Sequence, residues 1–213
     1  MKVEIWSDVV CPWCYIGKRR FEKGLAAFRE QHPDVEVEVA YRAYQLDPTA
    51  PGGVGEPVVA AYEKKFGGPE RASEIIERVT SEAAGEGLAF RMDIAQRSNT
   101  QLAHRLLVLA EEEGVQHEMQ ERLLQAYFTE GESVGVLETL VRLAEEVGLD
   151  GEATRAWLSG DAGKAEVLSH FDFAMQAGIT SVPMFVFDRQ AGVAGAQPAE
   201  VFNQILTELS AQV

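Results

Sequence analysis

Two cysteines, Cys11 and Cys14, flank Pro12-Trp13 at the point where a strand-like run gives way to a helix-like one. Before them, Val3 and Ile5 alternate with Lys2 and Glu4, the period of a short β-strand. After them, Ile16, Phe21, Leu25 and Phe28 recur at near-helical spacing, with Lys18, Arg19, Arg20, Glu22 and Lys23 on the other face. His32-Pro33-Asp34 stops that helix. Val35, Val37 and Val39 then alternate with Glu36 and Glu38, giving a second strand through about Arg42. A helix crossing over between two consecutive strands requires a parallel pair. The cysteine motif therefore opens the crossover helix of a β-α-β unit.

Beyond the loop at 47–57, residues 56–160 read as helices broken at Gly114, Gly131, Gly148 and Gly160. Ser98-Asn99-Thr100-Gln101 resembles a capping box, with Ser98 as N-cap and Gln101 at N3. The rest of the chain supplies a helix to about Ala177 with Gly178 as its left-handed cap, and an apolar strand Met184–Phe187. A turn at Asp188-Arg189-Gln190, a short strand at 192–195 and a final helix from Pro198 complete it. Residues 1–45 and 161–213 are expected to form one discontinuous α/β domain around a four-stranded sheet. Residues 56–160 are expected to be an all-helical insertion.

At the start of a helix, unpaired N–H groups and the positive end of the dipole favour thiolate over thiol at Cys11. Pro12 suits the first helical turn, where an N–H has no partner to lose. Cys14, one turn deeper, should be the more buried and less acidic of the two. The pattern predicts an exposed Cys11 that attacks a disulfide and a Cys14 that resolves the mixed disulfide. Trp13 is expected to offer an aromatic surface to substrate. A zinc site would need about four ligands, but the chain has only two Cys, and His32, His104, His117 and His170 do not pair at ligand spacing. No metal and no bound cofactor are expected, the redox-active disulfide itself serving. With 34 acidic and 19 basic residues the net charge is −15, which disfavours nucleic acid and an anionic membrane surface as partners. No apolar run approaches the ~20 residues of a membrane span, and Met1–Asp8 lacks the features of a signal peptide, so a cytoplasmic location is expected.

Three blocks, spread in order over nearly the whole chain, resemble the DsbA-like branch of the thioredoxin superfamily, and within it the cytoplasmic FrnE-like subfamily. They are Ser7-Asp8-Val9-Val10-Cys11-Pro12-Trp13-Cys14-Tyr15-Ile16-Gly17, Asn99-Thr100 with Ala103-His104-Arg105, and Ser181-Val182-Pro183-Met184-Phe185-Val186-Phe187 with Gly195-Ala196-Gln197. The resemblance implies a thioredoxin-like α/β fold with the helical insertion as a lid over the active site. It implies thiol–disulfide oxidoreductase or isomerase activity on protein or small-molecule thiols and disulfides. It places Pro183 in the cis form beside Cys11, with the Val182 backbone pairing with bound substrate. It puts Asn99, Thr100 and His104 near the site as substrate-binding candidates, against a plain reading as helix cap and helix-face residues. Asp8 or Glu4 is the candidate for the buried acid that moves protons for Cys14. Dimers are common among such relatives. The same branch is similar to 2-hydroxychromene-2-carboxylate isomerases and kappa-class glutathione transferases. A glutathione-dependent isomerase or transferase is therefore the alternative, with glutathione as co-substrate. Those relatives typically carry Ser where this chain has Cys11, so two cysteines point to disulfide exchange.

Overall fold

A computed structural model describes residues 1–211. Strand β1 (Lys2–Ser7) leads through the tight turn at Asp8–Cys11 into α1 (Pro12–Gln31) and on to β2 (Glu38–Ala43). The inserted block holds β3 (Glu56–Pro57), α2 (Val58–Phe66), α3 (Pro69–Gly85), β4 (Gln96–Arg97), α4 (Gln101–Glu112) and α5 (Gln116–Gln125). A π-helical turn at Ala126–Glu130 extends α5, and α6 (Leu137–Glu146) and α7 (Gly151–Ser159) follow. The chain ends with α8 (Lys164–Gln176), β5 (Met184–Phe187), β6 (Ala191–Ala194) and α9 (Ala199–Ser210).

The sheet order is β2-β1-β5-β6. β1 runs parallel to β2, with Val3 opposite Val39 and Ser7 opposite Ala43. It runs antiparallel to β5, with Ile5 opposite Phe185. One core lies between this sheet and the helices α1 and α9, built on Val3, Ile5, Phe21, Phe28, Phe185 and Phe202. A second, larger core joins Val9, Tyr15 and Ile16 to the inserted helices through Leu106, Leu123 and Phe128. The cysteine loop lies where the two cores meet. The chain is thus an α/β thioredoxin-like fold carrying a helical insertion.

Three local expectations change. β2 begins at Glu38 rather than Val35, because β1 starts at Lys2 and offers no strand partner before Glu38. The inserted block is helical apart from a two-residue pair, β3 with β4, whose Glu56 faces Arg97. Ser98 does not cap α4: Thr100 holds that position, and among the described residues the buried Ser98 hydroxyl has no hydrogen-bond partner. The Asn99 side-chain Oδ1 instead accepts from the Gln101 N–H at 3.0 Å.

Candidate active site

Cys11 is the N-cap of α1, with Pro12 in the first turn and no acidic residue there to oppose a thiolate. The Cys11 N–H donates to the Asp8 carbonyl at 3.1 Å, and the Cys14 N–H to the Cys11 carbonyl at 3.0 Å, which fixes the loop. Both cysteines are free thiols. The Val182–Pro183 bond is cis, and the Val182 carbonyl lies 3.8 Å from Cys11 Sγ. Pro183 also packs on α1: a Cβ added at Gly17 would stand 2.9 Å from Pro183 Cγ. The two ends of the chain thus meet at the motif, as the resemblance implies.

The expected exposure of Cys11 is not found, since only 3 % of it is accessible. The Val182 carbonyl covers one side. Tyr62 of α2 lines the neighbouring cavity, and burial, then the Cys11 charge, push its phenol up to about 12. Beside the loop is a cavity of about 330 Å³, lined by Val10, Val58, Tyr62, Tyr127, Lys64 and Arg97 among others. Arg97 is tied to Asp47 at 2.5 Å and to Glu56 at 2.6 Å. No sequence signal singled out Tyr62, Tyr127 or Arg97, because the chain turns that bring them to the motif lie in glycine-rich loops without periodicity.

Cys14 is deeper in its chemistry than in its exposure. Burial, with the hydrogen bond and charge of Cys11 beside it, pushes its thiol well above the ordinary range. Cys14 is therefore held in its protonated form. Of the two candidate acids, Glu4 is engaged elsewhere. Burial would raise it, but hydrogen bonds from Arg189 and Arg42 bring it down to about 2. Asp8 is 1 % exposed, and its backbone carbonyl receives the Cys11 N–H.

The structure brings Cys11, Cys14, Val182 and Pro183 together and sets the remaining candidates around them. Pro12 is buried in the first turn. Trp13 is half-buried and faces the insertion, with the Arg78 guanidinium 5.8 Å above its ring. Asn99 donates to the Pro48 carbonyl at 3.1 Å and, with Thr100, receives the Gln45 side-chain amide, so the two organise the 45–51 segment. His104 is buried at 2 % and contacts Asp8. None of these three lines the cavity. Among the described residues, no group of three or more His, Cys, Asp or Glu side chains is placed to hold a metal ion. Among them, too, no helix is long and apolar enough to cross a membrane.

Comparison with known proteins agrees with this geometry. A solved structure of a probable DsbA oxidoreductase from Streptomyces coelicolor is 43% identical and superposes with a TM-score of 0.90, over 100% of this chain and 91% of that one. The uncharacterized protein YwbO of Bacillus subtilis is 27% identical, over 97% of this chain and 96% of its own. The cytosolic disulfide reductase DsbM of Pseudomonas aeruginosa shares the fold at 17% identity and a TM-score of 0.66, over 99% of this chain and 100% of its own. The family model of the DSBA-like thioredoxin domain matches residues 2–207, nearly the whole chain. With that match spanning nearly the whole chain, the protein belongs to the DSBA-like thioredoxin domain family.

Proposed function

We propose that the protein is a thiol–disulfide oxidoreductase in which Cys11 is the nucleophile and Cys14 the resolving thiol. The observation that carries this reading is the asymmetry of the pair: Cys11 caps a helix N-terminus beside a cavity, while burial and Cys11 itself keep the Cys14 proton in place. The Cys11 thiolate attacks one sulfur of a substrate disulfide, forming a Cys11–substrate disulfide and expelling the other sulfur as a thiolate. Cys14 then gives up its proton and attacks Cys11 Sγ. The substrate's second thiolate leaves, and the Cys11–Cys14 disulfide remains. The substrate has gained two electrons and the cysteine pair has lost two. The reverse sequence oxidises a dithiol, and attack followed by release without resolution isomerises.

The Val182 backbone, beside Cys11 Sγ, is suited to hold an extended substrate segment, and Pro12 and Trp13 border its approach. The inserted helices act as a lid, α2 and Tyr62 closing over the thiol. Substrates are protein or small-molecule disulfides and thiols, glutathione included. Reduction of insulin by dithiothreitol, followed by turbidity, tests the reading. Wild type accelerates it, and Cys11→Ser lowers the catalysed rate by about 100-fold or more, as loss of a nucleophile should. Equal rates for the two proteins would overturn it.

A further inference from the structure

The Asp8 carboxylate is 1 % exposed, and the backbone carbonyl of the same residue receives the Cys11 N–H. A buried carboxylate needs hydrogen-bond donors to remain charged. Two reach it. The Leu46 N–H donates to Oδ2 at 2.9 Å, and His104 Nε2 stands 3.2 Å from Oδ1. His104 Nε2 also lies 3.0 Å from the Tyr44 carbonyl, which can only accept. Nε2 therefore carries the hydrogen and shares it between a carboxylate and a carbonyl. Among the described residues, buried His104 Nδ1 has no hydrogen-bond partner, so the ring works through Nε2, the end that contacts Asp8.

The Tyr127 phenol senses both the Asp8 charge and Cys11: burial pushes it up, and these two charges are among those that add to this. The other groups facing the pair are His170 of α8, whose ring feels His104, and the Tyr44–Leu46 backbone. A fixed negative charge at this place opposes a thiolate in the motif and so disfavours the dithiol form.

We propose that His104 is a positioning residue for the exchange: from α4 it holds the side chain of Asp8, the residue that opens the cysteine turn, and through that carboxylate it sets how easily the Cys11–Cys14 pair is reduced. The proposal rests on the disulfide-exchange reading above. Without the His104 donor, Asp8 Oδ1 loses its side-chain partner and the carboxylate is held only by the Leu46 N–H, so it is no longer fixed in place and its opposition to the thiolate weakens. The dithiol is then favoured and the pair becomes more oxidising.

The test is the equilibrium of the Cys11–Cys14 pair with glutathione redox buffers, read by thiol alkylation and mass, for wild type, His104→Leu, His104→Gln, Asp8→Asn and the double variant His104→Leu/Asp8→Asn. His104→Leu and Asp8→Asn should both move the equilibrium at least about tenfold towards the dithiol, which is about 30 mV for a two-electron couple. The double variant should move it no further than Asp8→Asn alone. His104→Gln, which keeps a donor, should stay within about threefold of wild type. A His104→Leu protein with wild-type equilibrium and only a lower Tm would overturn the proposal, as would additive shifts in the double variant. If His104→Leu does not fold, Asp8→Asn carries the test, and an equilibrium within about threefold of wild type overturns the proposal. Failure of the wild type to form a Cys11–Cys14 disulfide in any of these buffers would instead strike the exchange reading itself.

Discussion

Gly17 sits on the face of α1 turned towards Pro183 and Ala196, and its missing side chain lets the loop before β5 approach the helix. Gly17→Ala forces a methyl to within 2.9 Å of Pro183 Cγ and 3.4 Å of Ala196. It should cost about 1–3 kcal/mol, the range for overpacking a tight contact. It should also lower disulfide-exchange activity, because the Val182 carbonyl moves relative to Cys11. Urea denaturation and the insulin assay measure the two effects, and unchanged stability would show that the loop yields freely. Single residues were legible in the sequence where chemistry is tied to local placement. Cys11, Cys14 and Pro183 each sit at an element boundary marked by periodicity on both sides. Tyr62 and Tyr127 were not legible, because an aromatic on an amphipathic helix reads as core whether or not a thiol lies opposite. The burial of Cys11 was missed for the same reason, its cover coming from a distant part of the chain.

Helix α1 is held from two sides. Towards α9 its backbone approaches so closely that a Cβ at Gly24 would meet the Ala199 carbonyl at 2.5 Å. Towards α5 it presents Lys18, only 2 % exposed, paired with Glu22 at 2.5 Å and Glu121 at 2.6 Å. Arg19 also pairs with Glu121, and the Tyr15 hydroxyl donates to the same carboxylate at 2.7 Å. Glu121→Ala removes the acceptor shared by three groups and leaves a buried ammonium with one carboxylate. A loss of roughly 2 kcal/mol in urea denaturation is expected, below the full range for a buried pair because Glu121 retains some solvent contact. A change under about 0.5 kcal/mol would show that Glu22 alone suffices. The sequence placed Lys18 on the polar face of α1, correctly as chemistry but not as exposure. That face is covered by α5, more than 80 residues along the chain. Elements with an uninterrupted period, such as α1, β1 and β5, could be drawn from sequence almost to the residue. Short ones such as β3 and β4 could not, since two residues carry no period.

Over the whole molecule, the helices and the sheet are joined by buried polar groups as well as by apolar packing. His170 of α8 accepts the Ala43 N–H of β2 at 3.2 Å. Burial, with the Arg42 charge and His104 nearby, lowers it to about 4, against an ordinary value of 6.5. A depressed histidine keeps its contribution in full above pH 6.5. Between about 6.5 and 4 the unfolded chain binds a proton that the folded chain refuses, so stability falls as the pH is lowered. The paired carboxylates Glu4 and Glu22, each lowered to about 2, lose theirs only below about 4.5. Tm should therefore drop by roughly 5 °C between pH 6.5 and 4.5 in wild type. His170→Gln should flatten that slope while lowering Tm at pH 7. Equal slopes in both proteins would remove His170 from the account. The division of labour between the two cysteines is tested by mixed-disulfide trapping. Cys14→Ser, incubated with a small aromatic disulfide and then digested for mass spectrometry, should accumulate a stable adduct on Cys11. Cys11→Ser should accumulate none, its remaining thiol being buried and protonated. An adduct on Cys14 forming as fast as the one on Cys11 would contradict the assignment.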